Sequence, residues 1–528
     1  MPHPIYSIID QSIKSGHSAA TASFVSAIIR GRNLGRQYDK RAVVDMIQSH
    51  KLVRLEASGL EPCVTLPGQA VIEARIARWL ARAMGASRWG LPPANASLSG
   101  SQALGWALVS GSPVACLTGG PGTGKTYVTA RIIEAMVKKA NLVYACAPTG
   151  KAASVLHEKL SGLVEVTTLH RMIGWHPGSN PIIDRFNPID ADVIIIDEAS
   201  MLSSQMMANL LDAIEPERTK VLFVGDPDQL SPIGWGSPFK SICANEMIPV
   251  AHLTEIHRQK DGNGIPKLAE SIANGRFDIP DTDVSYYAMG HKETAGWVVR
   301  QYVQSIGERG TSPADRLILS PVKQMKFDAS TANMNEAISN GLHMKRTIKN
   351  SKFTIGDRIM FTVNDYGHGF VNGELGTLLA FDKGRAKIIN DSGRVYNLEG
   401  WSLSKYAEWA YAMTIHKAQG SEADTVILVT VNGAPHMYTR ELIYTAVTRA
   451  KSRLVIVGDM QILKAAVKRR SRRVSILDYL HKGSNSQIDR LLDLHAPDPN
   501  SLKKKFVSIR NDEKKKHRTF DEMFGHLI

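Results

Sequence analysis

Apolar positions along the 528-residue chain follow three successive patterns. Up to about residue 95 they recur mostly at helical spacing, which predicts helices around Ile5–Lys14, Ala20–Arg30 and Asp39–Ser49. Asp39 is placed to cap the third of these, and Gly16 and Gly31 are placed to stop the first two. Two short β-rich runs, Leu52–Glu56 and Cys63–Leu66, flank a turn at Gly59, and a helix is expected over Gln69–Met84. Three helices and a hairpin make a winged-helix-like order. Trp89–Ser97, with Pro92-Pro93, reads as a linker. From Gln102 onward the pattern changes. Val114–Leu117, Leu142–Ala145, Val193–Ile196 and Val221–Val224 are short apolar runs separated by helical stretches, as expected of a parallel sheet covered on both faces. A second set follows at Leu317–Leu319, Thr425–Val429 and Leu454–Val457. Within it, Phe353–Leu379 and Ala386–Asn397 read as a β-meander turning at Gly356, Gly373 and Gly376, a small barrel inserted into a second α/β domain. The expected organisation is an N-terminal domain over 1-95, α/β domains over 96-252 and 253-460, and a C-terminal tail over 461-528.

Composition adds little to this until charge is considered. With 43% hydrophobic and 22% charged residues the chain is ordinary globular protein, not a disordered one. No apolar run reaches the ~18 residues of a membrane span, and the N-terminus lacks the pattern of a secretory signal. Cys63, Cys116, Cys146 and Cys243 form no CxxC pair, so neither a zinc ribbon nor a disulfide framework is encoded. A soluble protein of a reducing compartment is the expectation. The net charge is +14, and after Leu463 there are sixteen basic and eight acidic residues. Such a surplus points to a polyanionic partner, nucleic acid first, or to a solvated basic tail.

The motif that carries most chemistry is Gly119-Gly120-Pro121-Gly122-Thr123-Gly124-Lys125-Thr126. It lies between the expected strand Val114–Leu117 and an expected helix over Val128–Met136. Glycines there let successive backbone N–H groups turn towards phosphate oxygens at the positive end of a helix. Lys125 then reaches the β/γ-phosphates and the Thr126 hydroxyl ligates Mg²⁺. Downstream, Asp197 and Glu198 end an apolar strand, where unpaired carboxylates would be costly without a function. Asp197 suits the metal, and Glu198 suits activation of the attacking water. Gln229 in Gly225-Asp226-Pro227-Asp228-Gln229 suits a γ-phosphate sensor. Arg258 and Arg449 are the arginines whose surroundings suit charge stabilisation in phosphoryl transfer.

Taken in order, these motifs resemble superfamily 1 DNA helicases, most closely the RecD-like, 5′-to-3′ branch, from about Gln102 to Asp459. The resemblance implies two RecA-like domains with ATP and Mg²⁺ between them. Gln102 resembles the adenine-reading glutamine. Pro148, Thr149 and His170 lie in segments resembling strand-contacting motifs, and Thr414 and His416 would touch DNA from YAMTIHKAQGSE. Gly420 and Glu422 of that segment would face the nucleotide, with Arg449 as the arginine finger and Arg258 near the hinge. The resemblance further implies a hairpin pin over 172-192 that splits the duplex, an SH3-like insertion over 345-408 and a monomeric motor. Ser231 and His257 depart from the branch's usual Pro and Tyr.

Trp175, Phe186, Tyr366, Tyr406, Trp409 and Tyr411 are candidates for base stacking or for core packing. The polarity rests on resemblance. An RNA helicase, a translocase that strips proteins without opening duplexes, and a nucleotide-switched DNA-binding subunit remain alternatives. A protein partner would dock on the N-terminal domain or the basic tail.

Overall fold

The computed structural model describes residues 4–31, 40–86, 98, 100–139, 142–176, 179–255, 264–306, 312–323, 327–342, 351–365, 367–382, 384–400, 403–431, 437–471, 473–481 and 485–493. The linker expected at Trp89–Ser97, the Asp39 cap, Arg258, His257, Tyr366 and the lysine clusters beyond residue 493 lie outside them. The chain divides into two compact units, residues 1–78 with 474–528, and residues 79–473.

In the first unit the helices Pro4–Lys14, Ala22–Gly31 and Lys40–Gln48 accompany three strands, β1 (Ala20–Thr21), β2 (Val53–Leu55) and β3 (Cys63–Thr65). Ala20 and Thr21 were expected to open a helix. Instead they pair antiparallel with Val64 and Cys63, so the hairpin becomes a sheet in the order β1-β3-β2. The stretch after residue 460 was expected to be tail, but much of it is folded. Met460–Lys468 is a helix of the second unit with Leu463, Ala466 and Val467 in its core. Ile476–Leu480 and Asn485–Asp493 are helices of the first unit. Their apolar residues explain this: Ile476 and Leu477 are fully buried. A buried carboxylate anchors the return of the chain, since Glu73 accepts hydrogen bonds from Ser18 Oγ, Ser475 Oγ and the Leu477 N–H.

The second unit holds the two α/β halves. The first is a six-stranded parallel sheet of β4 (Val114–Gly119), β5 (Val143–Ala147), β6 (Val166–Thr168), β7 (Val193–Ile196), β8 (Lys220–Gly225) and β9 (Val250–Leu253), in the order β6-β5-β7-β8-β4-β9. β4, β7 and β8 are buried along their whole length, which is why they stand out as unbroken apolar runs. The second sheet contains β10 (Val284–Ala288) and β11 (Arg316–Ser320). An antiparallel insertion follows: β12 (Arg358–Phe361), β13 (Leu375–Asp382), β14 (Arg385–Asn390), β15 (Val395–Glu399) and β16 (Ala407–Trp409). The chain then returns to the parallel sheet as β17 (Ala412–Thr414), β18 (Ala423–Val429) and β19 (Ala450–Gly458), giving the order β10-β19-β18-β11-β17.

The insertion has its own aromatic core, with Phe361 stacked on Phe370 at 4.1 Å between centroids. Asp357 ties it to the parallel sheet. This fully buried carboxylate accepts from Ser339 Oγ, Tyr411 Oη and the Thr354 N–H, each at 2.7 Å, and from Trp409 Nε1 at 2.8 Å. Trp409 and Tyr411 therefore serve the core and leave the set of base-stacking candidates. Tyr406 likewise packs against Phe370.

The segment 172-192 was expected to form a hairpin. Its described residues show a single isolated bridge, Asp184 with Asn187. The loop is closed otherwise: the N–H groups of Ile182 and Ile183 both donate to Ile173 O, and Trp175 Nε1 donates to Ser179 O. Pro181 and Pro188 lack the N–H groups that a ladder through this stretch would use.

Candidate nucleotide site and strand-contact edge

Parallel order places each motif at a strand's carboxyl end along one edge of the first sheet. Gly119–Gly124 follow β4, Asp197 follows β7, Asp226 follows β8, Pro148 and Thr149 follow β5, and His170 lies just after β6. From β4 to β6 is four strand spacings, roughly 19 Å. The nucleotide loop and the strand-contact candidates therefore occupy opposite ends of one edge, with the carboxylates between them.

At the loop, the glycines are required by shape. Gly124, which caps the helix Lys125–Lys138, has φ +83°, and a Cβ at Gly119 would lie 2.8 Å from Leu253 O and 2.6 Å from Thr123 Oγ1. Lys125 Nζ folds into the loop, donating to the carbonyls of Gly119 and Gly120 at 2.6 and 2.9 Å. Thr126 is the next residue of the same first turn. Gln102 is buried near the start of the helix Gly100–Ser110, whose Ser101 N–H donates to Glu255 beyond β9. Pro121 and Gly122 complete the turn, with Gly122 at φ +76°.

Asp197 Oδ1 accepts the Glu198 N–H at 2.9 Å, and Glu198 takes the left-handed conformation at φ +50°. A non-glycine residue in that region costs energy, a mark of constraint seen at functional sites. Burial pushes the pKa of both carboxyls above the ordinary carboxylate range. Lys125 draws both down, and Arg449 draws Glu198 down further while Asp197 and Glu422 push it up. Lys125, Asp197, Glu198, Glu422 and Arg449 thus share one electrostatic neighbourhood, although Arg449 lies 251 positions after Glu198 in the chain. A half-buried carboxylate beside a phosphate loop and a threonine hydroxyl is a donor set that suits a hard divalent cation.

The second half contributes through its strands' amino ends. Arg449 immediately precedes β19, and Gly420, Ser421 and Glu422 precede β18. Arg449 is buried, donating from Nε to Thr445 O, from one terminal nitrogen to Ser421 O and from the other to Thr448 Oγ1. Its carbonyl accepts the Ala423 N–H. Thr414 ends β17, and its Oγ1 accepts the Lys417 N–H. His416 is exposed two residues on. One segment therefore carries strand-contact candidates at one end of the sheet and nucleotide-facing residues at the other.

Sequence reasoning missed the direct bridges between the halves. Tyr444 Oη donates to Asp226 Oδ2 at 2.9 Å and stands 3.3 Å from where a Cβ on Gly120 would be. Gln229 Nε2 donates weakly to the same Asp226 oxygen at 3.4 Å, so the sensor candidate is linked to the second half through Asp226. The Leu230 N–H donates to Thr445 Oγ1, and Gln419 Nε2 donates to Leu230 O. The available signal was the shared neighbourhood of Tyr444 and Arg449 in one motif.

Among the strand-contact candidates, Thr149 caps the helix Gly150–Leu160 through its side chain, and Pro148 beside it is half-buried. His170 stacks on Trp175 at 5.1 Å with an interplanar angle of 8°. Burial and the neighbouring His176 lower the pKa of His170, favouring the neutral ring. Phe186 is exposed under the Arg185 guanidinium, at 5.2 Å.

A phosphate loop, half-buried carboxylates and an arginine from a second parallel sheet define a P-loop nucleoside triphosphatase built from two RecA-like halves. Residues 97–298 match the AAA domain family model, and residues 409–457 match the UvrD-like helicase C-terminal domain. The chain is 33% identical over 403 residues to the RecBCD enzyme subunit RecD of Mycolicibacterium smegmatis, covering 68% of this chain and 71% of that protein. It is 32% identical to the ATP-dependent RecD2 DNA helicase of Deinococcus radiodurans, covering 74% of this chain but 53%, about half, of that longer protein. A solved Pif1 helicase structure at forked DNA aligns with 72% of this chain and 95% of its own, at 19% identity and a TM-score of 0.45. The chain belongs to the RecD family.

Proposed function

We propose that this protein is an ATP- and Mg²⁺-dependent DNA helicase that moves 5′-to-3′ along single-stranded DNA and opens duplex ahead of it. The observation that supports this most is the half-buried Glu198 carboxylate lying within electrostatic reach of Lys125 on its own half and Arg449 on the other. A protein that only binds nucleotide needs no base held against a strained backbone, and a switch without turnover needs no finger.

In this reading Lys125 and the loop N–H groups hold the phosphates, and Gln102 contacts the adenine. Thr126 and Asp197 hold Mg²⁺, which when bound neutralises charge on the β/γ-phosphates. Glu198 orients and deprotonates the attacking water, and Gln229 senses the γ-phosphate. Arg449 stabilises the charge developing there, Gly420 and Glu422 face the nucleotide, and Arg258 lies near the hinge. Loss of the γ-phosphate removes a contact shared by both halves, so hydrolysis alters the grip on the strand held by Pro148, Thr149, His170, Thr414 and His416.

The halves are assigned to 96-252 and 253-460, with the pin at 172-192 and an SH3-like insertion at 345-408. The motor works as a monomer, with protein partners docking on the N-terminal domain or the basic tail. Among the described residues no helix is long and apolar enough to cross a membrane, and a cytoplasmic, DNA-associated location follows from the substrate.

The test is strand separation of one DNA duplex carrying either a 5′ or a 3′ single-stranded overhang, with ATP and Mg²⁺. Opening from the 5′ overhang alone is expected. Opening from the 3′ overhang alone would overturn the polarity, and DNA-stimulated hydrolysis without opening would make the protein a translocase.

A further inference from the structure

Lys151 belongs to a segment expected to meet the DNA strand, yet its ammonium is turned elsewhere. It sits in the first turn of the helix Gly150–Leu160, and its Nζ donates to Ser421 Oγ across the interface at 2.6 Å. Ser421 is almost wholly buried, and its carbonyl accepts from the Arg449 guanidinium at 3.4 Å. Arg449 grips the same turn a second time, through its carbonyl and the Ala423 N–H at 3.1 Å. Gly420, at φ +72°, gives the turn the shape that presents Ser421 to both sides. The slot is closed from a third direction by the inserted sheet. A Cβ on Gly150 would collide with the side chain of Val371, so glycine is what lets that loop close over the helix start.

We propose that Lys151 is a positioning residue that links the strand-contacting loop of the first half to Arg449 through Ser421. It rests on the reading of Arg449 as the finger that completes the ATP site. Thr149 and Lys151 sit at one helix N-terminus, so movement of the loop on strand binding moves the ammonium. Because Ser421 carries both the Lys151 contact and an acceptor for Arg449, that movement reaches the finger. Strand binding thereby favours the arrangement that hydrolyses ATP.

The charge on Lys151 gives the link a pH signature. Burial draws its pKa down to about 8, Asp391 and Glu422 act upward, and Arg358 and Arg449 act downward. The ammonium present at pH 7 is therefore lost as pH rises through about 8. An arginine at this position would stay charged throughout.

The experiment compares ATP hydrolysis with and without single-stranded DNA for the full chain, Lys151→Met, Lys151→Arg, Ser421→Ala and the Lys151→Met/Ser421→Ala pair, with Arg449→Lys alongside. Lys151→Met is expected to lower the ratio of stimulated to unstimulated rate about tenfold. Lys151→Arg should restore most of it, and the pair should lose no more than Lys151→Met alone. In the natural protein the ratio should fall between pH 7 and 9, and in Lys151→Arg it should not. An unchanged ratio in Lys151→Met, additive losses in the pair, or a pH dependence that Lys151→Arg shares would overturn the proposal. A loss that saturating DNA repairs would instead make Lys151 a strand ligand and overturn it too. If Arg449→Lys hydrolyses ATP normally while Lys151→Met lowers the ratio, the assignment of the finger is what fails, and the link to it falls for that separate reason.

Discussion

The two parallel sheets of the second unit meet the nucleotide site from opposite edges. In the first sheet the functional groups follow the carboxyl ends of β4, β7 and β8, whereas in the second they precede the amino ends of β18 and β19. The groups are held differently as well. Lys125 rests on loop backbone, and Glu198 is held in a strained conformation. Arg449 donates to three acceptors of its own half and is buried among them. On the proposed function, one wall is shaped in advance for phosphate and metal, whereas Arg449 on the other would exchange these bonds for contacts to the nucleotide.

The largest expected effects fall on the preformed wall. Lys125→Ala should abolish hydrolysis measured by phosphate release, and turnover near the natural rate would remove Lys125 from the site. Glu198→Gln should lower kcat by about 10³-fold while ATP stays bound, within the range of a lost general base. Equal losses of binding and turnover in a filter-binding assay would argue that Glu198 holds the fold of the loop instead.

Effects on the bonds joining the walls should be smaller. Tyr444→Phe removes the hydroxyl that donates to Asp226, and kcat is expected to fall about tenfold. Asp226→Asn should give a similar loss, and the double variant should show coupling of about 1 kcal/mol. Strict additivity in that cycle would mean the bridge contributes nothing to catalysis.

The carboxylates give a further contrast through pH. With Glu198 raised by burial and by Asp197, its catalytically useful ionised form is lost as pH falls, starting above the ordinary carboxylate range. The acid limb of kcat should therefore lie high, and Arg449→Ala should move it higher, because Arg449 favours the charged form. An acid limb that stays put in Arg449→Ala would separate the two residues. The same raised pKa means that ionised Glu198 destabilises the fold at neutral pH, above its unfolded value. Glu198→Gln should consequently gain about 1 kcal/mol of stability in denaturant titration without metal, and a loss would show that its charge is compensated.

This asymmetry also explains what the sequence revealed. The first wall is built from contiguous motifs on buried strands, so Gly119–Thr126, Asp197 and Glu198 were legible together with β4, β7 and β8. The pairing of Tyr444 with Asp226 and of Lys151 with Ser421 joins residues 218 and 270 positions apart, and no local pattern encodes it. The three-residue strands β6 and β17 are too short for a periodic signal. Trp409 and Tyr411 have the composition of a stacking surface, but their polar tips are used up on Asp357 inside the core. In 172-192 the turn residues were readable, but whether they closed a ladder or a compact loop depended on where the Ile182 and Ile183 N–H groups found an acceptor.

If one ATP is handled by both walls, Arg449→Lys must separate binding from hydrolysis. Lysine keeps the charge but cannot make the planar fork. Measured side by side, ATP affinity should stay within about threefold while single-turnover hydrolysis falls by about 10³-fold. Hydrolysis close to the natural rate would contradict the account, as the second wall would then have no part in the chemistry.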